Sequence, residues 1–212
     1  MEARAIEIQS KKDRRLTIRV IPGHFATNHS HINYYVDLTG IKSQQMAAKR
    51  AGQCLAGEYA NKPVDTVICL DGTEIVGAFL ADALAKIGSH TLSEGSNINV
   101  ITPELNSNNQ MIFRDNIQNM VWGKSILLLL PSVTTGKSII RSLECIKYYG
   151  GKIQGIGAVF SAISSQNGVP VVSLFTGDDL PDYRTWTYSE CPFCRENQKI
   201  DAIVNSYGYS KI

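Results

Sequence analysis

The stretch "KSILLLLPSVTTGKSIIRSL", residues 124–143, reads as a buried strand that passes through a turn into a helix. Ile126 to Leu130 form a continuous apolar run, the pattern of a strand covered on both faces. The turn carries Thr134, Thr135, Gly136, Lys137 and Ser138. At the start of a helix the backbone N–H groups lack intrahelical partners and the helix dipole is positive, so this turn is a natural phosphate site. Acidic residues usually accompany such a loop in enzymes; here the strand ends in Leu129, Leu130, Pro131 and Ser132.

Outward from this unit the same alternation recurs. "VDTVICL" from Val64 is an apolar strand, "DGTE" a turn, and "IVGAFLADALAKIG" a helix that Gly88 can terminate. Upstream, Leu16 to Val20 alternate as a short strand that stops at Pro22 and Gly23. A polar loop with His24, His29 and His31 follows, and "YYVDL" returns to β-like composition. Ser43 is the expected N-cap of a helix reaching about Tyr59. Downstream, "INVIT", "GAVFS" and "VPVVSLF" are strands, and Gly136 to Tyr149 is a helix stopped by Gly150 and Gly151. The expected fold class is α/β, a mostly parallel sheet flanked by helices on both faces. Ligands of such sheets sit at the carboxyl ends of the strands, here at residues 69–74 and 130–138.

The chain has 212 residues, 43% hydrophobic and 19% charged, enough for one domain with a sizeable core. Its 21 basic and 19 acidic residues leave a net charge of +2, which gives no long-range pull toward nucleic acid or a membrane surface. The apolar runs fall short of the roughly 20 residues of a bilayer span. The start, "MEARAIEIQSKKDRR", has no apolar core of a secretory signal, so a cytoplasmic location is expected.

Gly136-Lys137-Ser138 does not complete a P-loop, because that motif needs glycine where Pro131 stands. The GKS at residues 123–125 fails likewise at Gln118. An ordinary helix cap by Thr134 or Thr135 is the simpler alternative. Several segments, in order, resemble the type I phosphoribosyltransferases, and among them the orotate phosphoribosyltransferases. These are "GHFATNHSHINYYVDL", "VDTVICLDGTEIVGAFLADAL", "ILLLLPSVTTGKSI", "GVPVVSLFTGDDL" and "CPFCRENQKI".

The resemblance implies a single domain over residues 1–212, with a hood-like segment at 1–40, an α/β core at 41–180 and a C-terminal tail at 181–212. It implies that Thr134, Thr135, Gly136, Lys137 and Ser138 hold the 5-phosphate of a ribose phosphate such as phosphoribosyl pyrophosphate. Asp71, Gly72, Thr73 and Glu74 would then lie where pyrophosphate or its magnesium is held, with Tyr34 and Tyr35 flanking the base. A homodimer is implied by the same resemblance.

The departures are as informative. The family's acidic pair, which contacts the ribose hydroxyls, aligns with Leu130 and Pro131. The arginine that meets orotate's carboxylate has no counterpart in "FSAISS", and the basic catalytic loop matches "ELNSNNQMIFRDNIQN", whose one cation is Arg114. Two functions follow. One is a phosphoribosyl transfer to a pyrimidine or related base, with Asp71 and Glu74 as magnesium anchors and Arg114 as a further catalytic candidate. The other is a non-catalytic protein that binds such a ligand to sense or regulate.

His24, His29 and His31 can share an ion, but no carboxylate or thiol stands beside them in the loop. Cys191 and Cys194 form a C-x-x-C pair, readable as half a zinc site, a redox dithiol or a plain turn. Zinc needs further ligands from distant residues or a partner chain. Ile200, Ile203 and Val204 form an apolar stripe that packs back on the domain or across an interface.

Overall fold

The computed structural model describes residues 1–87, 97–107 and 110–212. Strand β1 (Ile6–Gln9) precedes the long hairpin of β2 (Thr17–Ala26) and β3 (His31–Asp37). Helix α1 (Thr39–Ser43) runs into α2 (Gln45–Tyr59), and β4 (Thr66–Cys69) leads to α3 (Glu74–Ile87). After β5 (Asn99–Ile101) come the small hairpin β6 (Glu104–Leu105) and β7 (Met111–Ile112), then α4 (Asp115–Gln118). The central unit is β8 (Ser125–Val133) and α5 (Lys137–Tyr148), followed by β9 (Lys152–Ser161), β10 (Ser165–Gln166) and β11 (Val169–Thr176). The tail holds β12 (Thr185–Trp186), α6 (Pro192–Arg195), β13 (Ala202–Asn205) and β14 (Gly208–Lys211).

One sheet has the order β10-β11-β9-β8-β4-β5, parallel throughout except at β10. Strand β8 sits inside it with both faces buried, which is why its sequence lacks polar alternation. Leu127 and Leu129 enter the core made with α2 and α3, while Ile126, Leu128 and Leu130 enter the core made with Ile139, Leu143 and Ile146 of α5. Helices α2 and α3 approach closely at Gly52, where an added Cβ would lie 2.6 Å from the Leu80 nitrogen. Pro131 costs no ladder bond. The Leu129 carbonyl accepts from Leu70 N on the β4 side, so a residue two further on faces that side after β4 has ended.

A second sheet is the main departure from the expected organisation. Its order is β12-β3-β2-β13-β14, with β1 paired to the first half of β2. The hood segment and the tail thus form one body, with β12 on β3 and β13 beside Phe25 and Ala26 of β2. Strand β2 does not stop at Pro22 and Gly23. A register shift between Pro22 and Phe25 absorbs the proline as a bulge, and the strand runs on to Ala26. His24 and His31, expected in a loop, therefore lie on paired strands, and His29 stays in the exposed turn.

Ser43 is not the N-cap of the long helix. It closes α1, donating its hydroxyl to the Thr39 carbonyl at 2.5 Å, and α2 starts after Gln44 without a side-chain cap. Gly88, the expected stop of α3, lies outside the described residues. The expected tail stripe is split: Val204 is buried, Ile200 is half-buried and Ile203 faces outward, because β13 alternates and buries Ala202 and Val204 instead.

Candidate functional site

The phosphate-type loop follows β8 directly. Gly136 is the N-cap of α5, with φ of +74°, a left-handed conformation that favours glycine. A Cβ there would collide with the Gln166 side chain and would lie 2.9 Å from Ile163 Cδ1, so the loop is also packed from above. Neither Thr134 nor Thr135 caps the helix. Among the described residues, the backbone N–H groups of Thr134, Thr135, Gly136, Lys137 and Ser138 meet no acceptor. The Lys137 side chain is exposed beside them. A turn of free donors at the positive end of a three-turn helix, with an ammonium and hydroxyls at its rim, is suited to a phosphate.

The other strand end builds the second half. Asp71 and Gly72 both have positive φ, +52° and +83°, which bends the chain sharply out of β4. Thr73 is fully buried, and its hydroxyl reaches the carbonyls of Leu70 at 2.9 Å and Leu129 at 3.3 Å. That hydroxyl joins the ends of β4 and β8 rather than facing a ligand. Asp71 Oδ2 accepts from the Ser206 hydroxyl at 3.0 Å, and Glu74 Oε1 accepts from Thr102 at 3.1 Å.

Lys42 is the residue that sequence reasoning missed. Its ammonium donates to the Asp71 carbonyl at 2.9 Å and the Ser206 carbonyl at 2.6 Å, and stands 5.5 Å from the Tyr207 ring centre. Burial lowers its pKa, and the charges of Asp71, Glu74 and Asp37 act in the opposite sense. An ammonium has three donors, so one remains for a guest. No local motif marks Lys42; it meets Asp71 only because α1 and the β13–β14 turn converge on the end of β4.

The remaining predicted residues are distributed differently. Leu130 is 2% exposed and Pro131 is buried, both inside β8. Tyr35 packs between Phe25 and Tyr209 and its hydroxyl pKa is pushed up to about 12 by burial, whereas Tyr34 on the opposite face of β3 is half-buried. Arg114 forms an exposed ion pair with Glu104 at 2.7 Å, across the base of the small hairpin. Cys191 and Cys194 lie elsewhere, against His24 and His31.

No family model matches the chain. The chain is similar to orotate phosphoribosyltransferase of Desulforamulus reducens, 24% identical over 178 residues, covering 82% of this chain and 84% of the relative. It is likewise similar to orotate phosphoribosyltransferase of Chlorobium phaeobacteroides, 25% identical over 197 residues, with 89% and 90% covered. Among solved structures, Mycobacterium tuberculosis orotate phosphoribosyltransferase in complex with phosphoribosyl pyrophosphate superposes with a TM-score of 0.51 at 18% identity, over 69% of this chain and 82% of that one. The fold is that of the type I phosphoribosyltransferases. In this phosphoribosyltransferase fold the loop after β8 and the turn after β4 both open at the carboxyl ends of adjacent parallel strands. No helix among the described residues is long and apolar enough to cross a membrane.

Proposed function

We propose that the chain binds phosphoribosyl pyrophosphate or a related ribose 5-phosphate, and transfers the phosphoribosyl group between pyrophosphate and a pyrimidine or related base. The observation that carries this reading is the set of unpartnered N–H groups from Thr134 to Ser138 at the head of α5. They take the 5-phosphate, with Lys137 and the hydroxyls of Thr134, Thr135 and Ser138 at its edge. The turn at Asp71 to Glu74, with Lys42 beside it, takes the pyrophosphate end, and Tyr34 offers the half-buried ring nearest in kind to a base platform.

Magnesium fits this turn. Asp71 and Glu74 each have one carboxylate oxygen left by their hydrogen bonds, and both charges act on Lys42. One or two carboxylates together with substrate phosphates are the usual protein share of a magnesium site. The ion would neutralise the departing pyrophosphate, while the chain's own donors orient the sugar phosphate. By the same resemblance the setting is cytoplasmic pyrimidine nucleotide metabolism and the working unit is a homodimer.

A specific observation favours a second reading. Leu130 faces a core of the sheet, Pro131 is buried, and neither side chain carries a group that binds a ribose hydroxyl, which suits a protein that senses the ligand without turning it over. Calorimetry with phosphoribosyl pyrophosphate, with and without magnesium, followed by turnover assays on a panel of bases, separates the two. Magnesium-dependent binding with turnover on one base supports transfer; tight binding indifferent to magnesium with no turnover supports sensing. Lys137→Ala is expected to weaken binding about tenfold, or about 1.4 kcal/mol. Unchanged affinity in that variant removes the phosphate-loop assignment.

A further inference from the structure

His24, His31, Cys191 and Cys194 meet at one point, with their ligand atoms all within 4.8 Å of one another. His24 and His31 come from the hairpin: His31 pairs with Ala26, and the bulge between Pro22 and Phe25 holds the His24 ring beside the His31 ring, with centroids 4.9 Å apart. Trp186 of β12 pairs with His31 on the other side, and the chain then turns at once into Cys191 and α6. Pro192 opens that helical turn, and the short C-x-x-C spacing brings Cys194 back beside Cys191.

Four of the six distances between the ligand atoms lie close to those of a tetrahedral site, and all six are within 4.8 Å. Cys191 Sγ lies 3.5 Å and Cys194 Sγ 3.6 Å from His24 Nε2, and Cys194 Sγ lies 3.2 Å from His31 Nδ1. Zinc bonds of about 2.3 Å to sulfur and about 2.0 Å to nitrogen place neighbouring ligand atoms roughly 3.3 to 3.8 Å apart. The His24 Nε2 to His31 Nδ1 distance, 2.9 Å, would open by a few tenths of an ångström, on the order of what those bonds require. The other nitrogen of His24, Nδ1, lies 3.0 Å from the Gln198 carbonyl. Donation from Nδ1 leaves the Nε2 lone pair directed at the cluster, the usual support of a metal-bound imidazole.

Burial separates this cluster from a catalytic metal. His24 and Cys191 are fully buried and His31 is 8% exposed, with Phe193 and Tyr188 rings against the imidazoles. Cys194 is half-buried, but four protein ligands fill a tetrahedral ion's positions and leave none for water or substrate, which is the structural class of zinc site. We propose that His24, His31, Cys191 and Cys194 hold a structural zinc ion that staples the C-terminal segment onto the β2–β3 hairpin. The next elements along the chain are tied to the same place. Asp201 N donates to the His24 carbonyl, β13 pairs with β2, and the β13–β14 turn delivers Ser206 to Asp71. The staple therefore fixes the tail that completes the turn after β4, yet it stands or falls independently of what that turn binds.

The test is metal analysis of the untagged full-length chain, purified without chelator, by inductively coupled plasma mass spectrometry. One zinc per chain is expected. His31→Ala and Cys194→Ser should each lower retention against a competing chelator by more than about tenfold, the least that loss of even a supporting contact causes. His29→Ala and Cys54→Ser should retain the ion. Should the variants fail to fold, cobalt substituted into the wild-type chain reads the ligands directly through thiolate charge-transfer bands and tetrahedral ligand-field absorption. Wild-type protein without stoichiometric zinc, a Cys191–Cys194 disulfide in freshly purified chain, cobalt without thiolate bands, or full retention in both ligand variants would overturn the proposal.

Discussion

At the scale of single residues, Lys42 shows how a charge is placed by its neighbours. Burial holds its pKa below the ordinary 10.5, while Asp71, Glu74 and Asp37 pull it upward. A depressed lysine binds its proton less tightly folded than unfolded. Its charge therefore opposes folding at pH below the folded value, and that cost fades as pH rises toward 10.5. A polyanion works the other way, favouring the charged form. Affinity for phosphoribosyl pyrophosphate is expected to fall as pH rises through the folded value, earlier than for a free lysine. Lys42→Arg should hold its affinity over that range, and Lys42→Met should be weak throughout. Calorimetric titrations across the alkaline range check this, and an identical decline in the wild type and the arginine variant would remove Lys42 from the site. Leu130 gives the opposite lesson. The resemblance sets it against an acidic position, but its side chain lies in the α5 core, so Leu130→Asp is expected to cost about 3 to 5 kcal/mol in urea unfolding rather than to create a ribose contact. A stable variant with new magnesium dependence would show that this side chain reaches the ligand.

At the scale of elements, the strand and helix sequence of the core was legible because its signals are local. Continuous Leu and Ile in β8, the apolar period of α2 and α3, and the Gly-Lys-Ser turn all act over a few residues. The limits of the reading were also local in origin. Pro22 looked like a strand end because a proline removes a ladder bond, and only the pairing of β2 with β3 reveals the bulge that tolerates it. Helix packing supplies a test. At Gly52 of α2 a Cβ would press on the Leu80 nitrogen at 2.6 Å and the Phe79 carbonyl carbon at 2.8 Å, so Gly52→Ala should destabilise by about 1 to 3 kcal/mol. Gly57, one and a half turns on and exposed, has nothing within 4 Å of the same position. Gly57→Ala should instead stabilise by up to about 1 kcal/mol through helix propensity. Denaturant midpoints of the pair decide whether the close approach or the propensity governs each site.

At the scale of the whole molecule, the two chain ends share one sheet and the core lies between them in sequence. His31 and Cys194 are 163 positions apart, and His24 and Cys191 are 167 apart. Removing zinc with a chelator is expected to raise amide exchange at Ala202 to Asn205 and in the β12 region, leaving β8 and β9 protected, because those strands belong to the other sheet. Equal protection before and after metal removal would show that β-pairing alone secures the tail. The sequence by itself determined the α/β class, the buried central strand and the strand–turn–helix unit around residues 134–138, since hydrophobic period and turn chemistry are properties of short segments. Tertiary structure alone decided that Lys42 and Ser206 complete the turn at Asp71, and that an isolated-looking histidine pair and C-x-x-C pair are one cluster. The physical reason is that such contacts depend on which distant strands pair, and strand pairing across more than a hundred residues leaves no periodic trace in the chain.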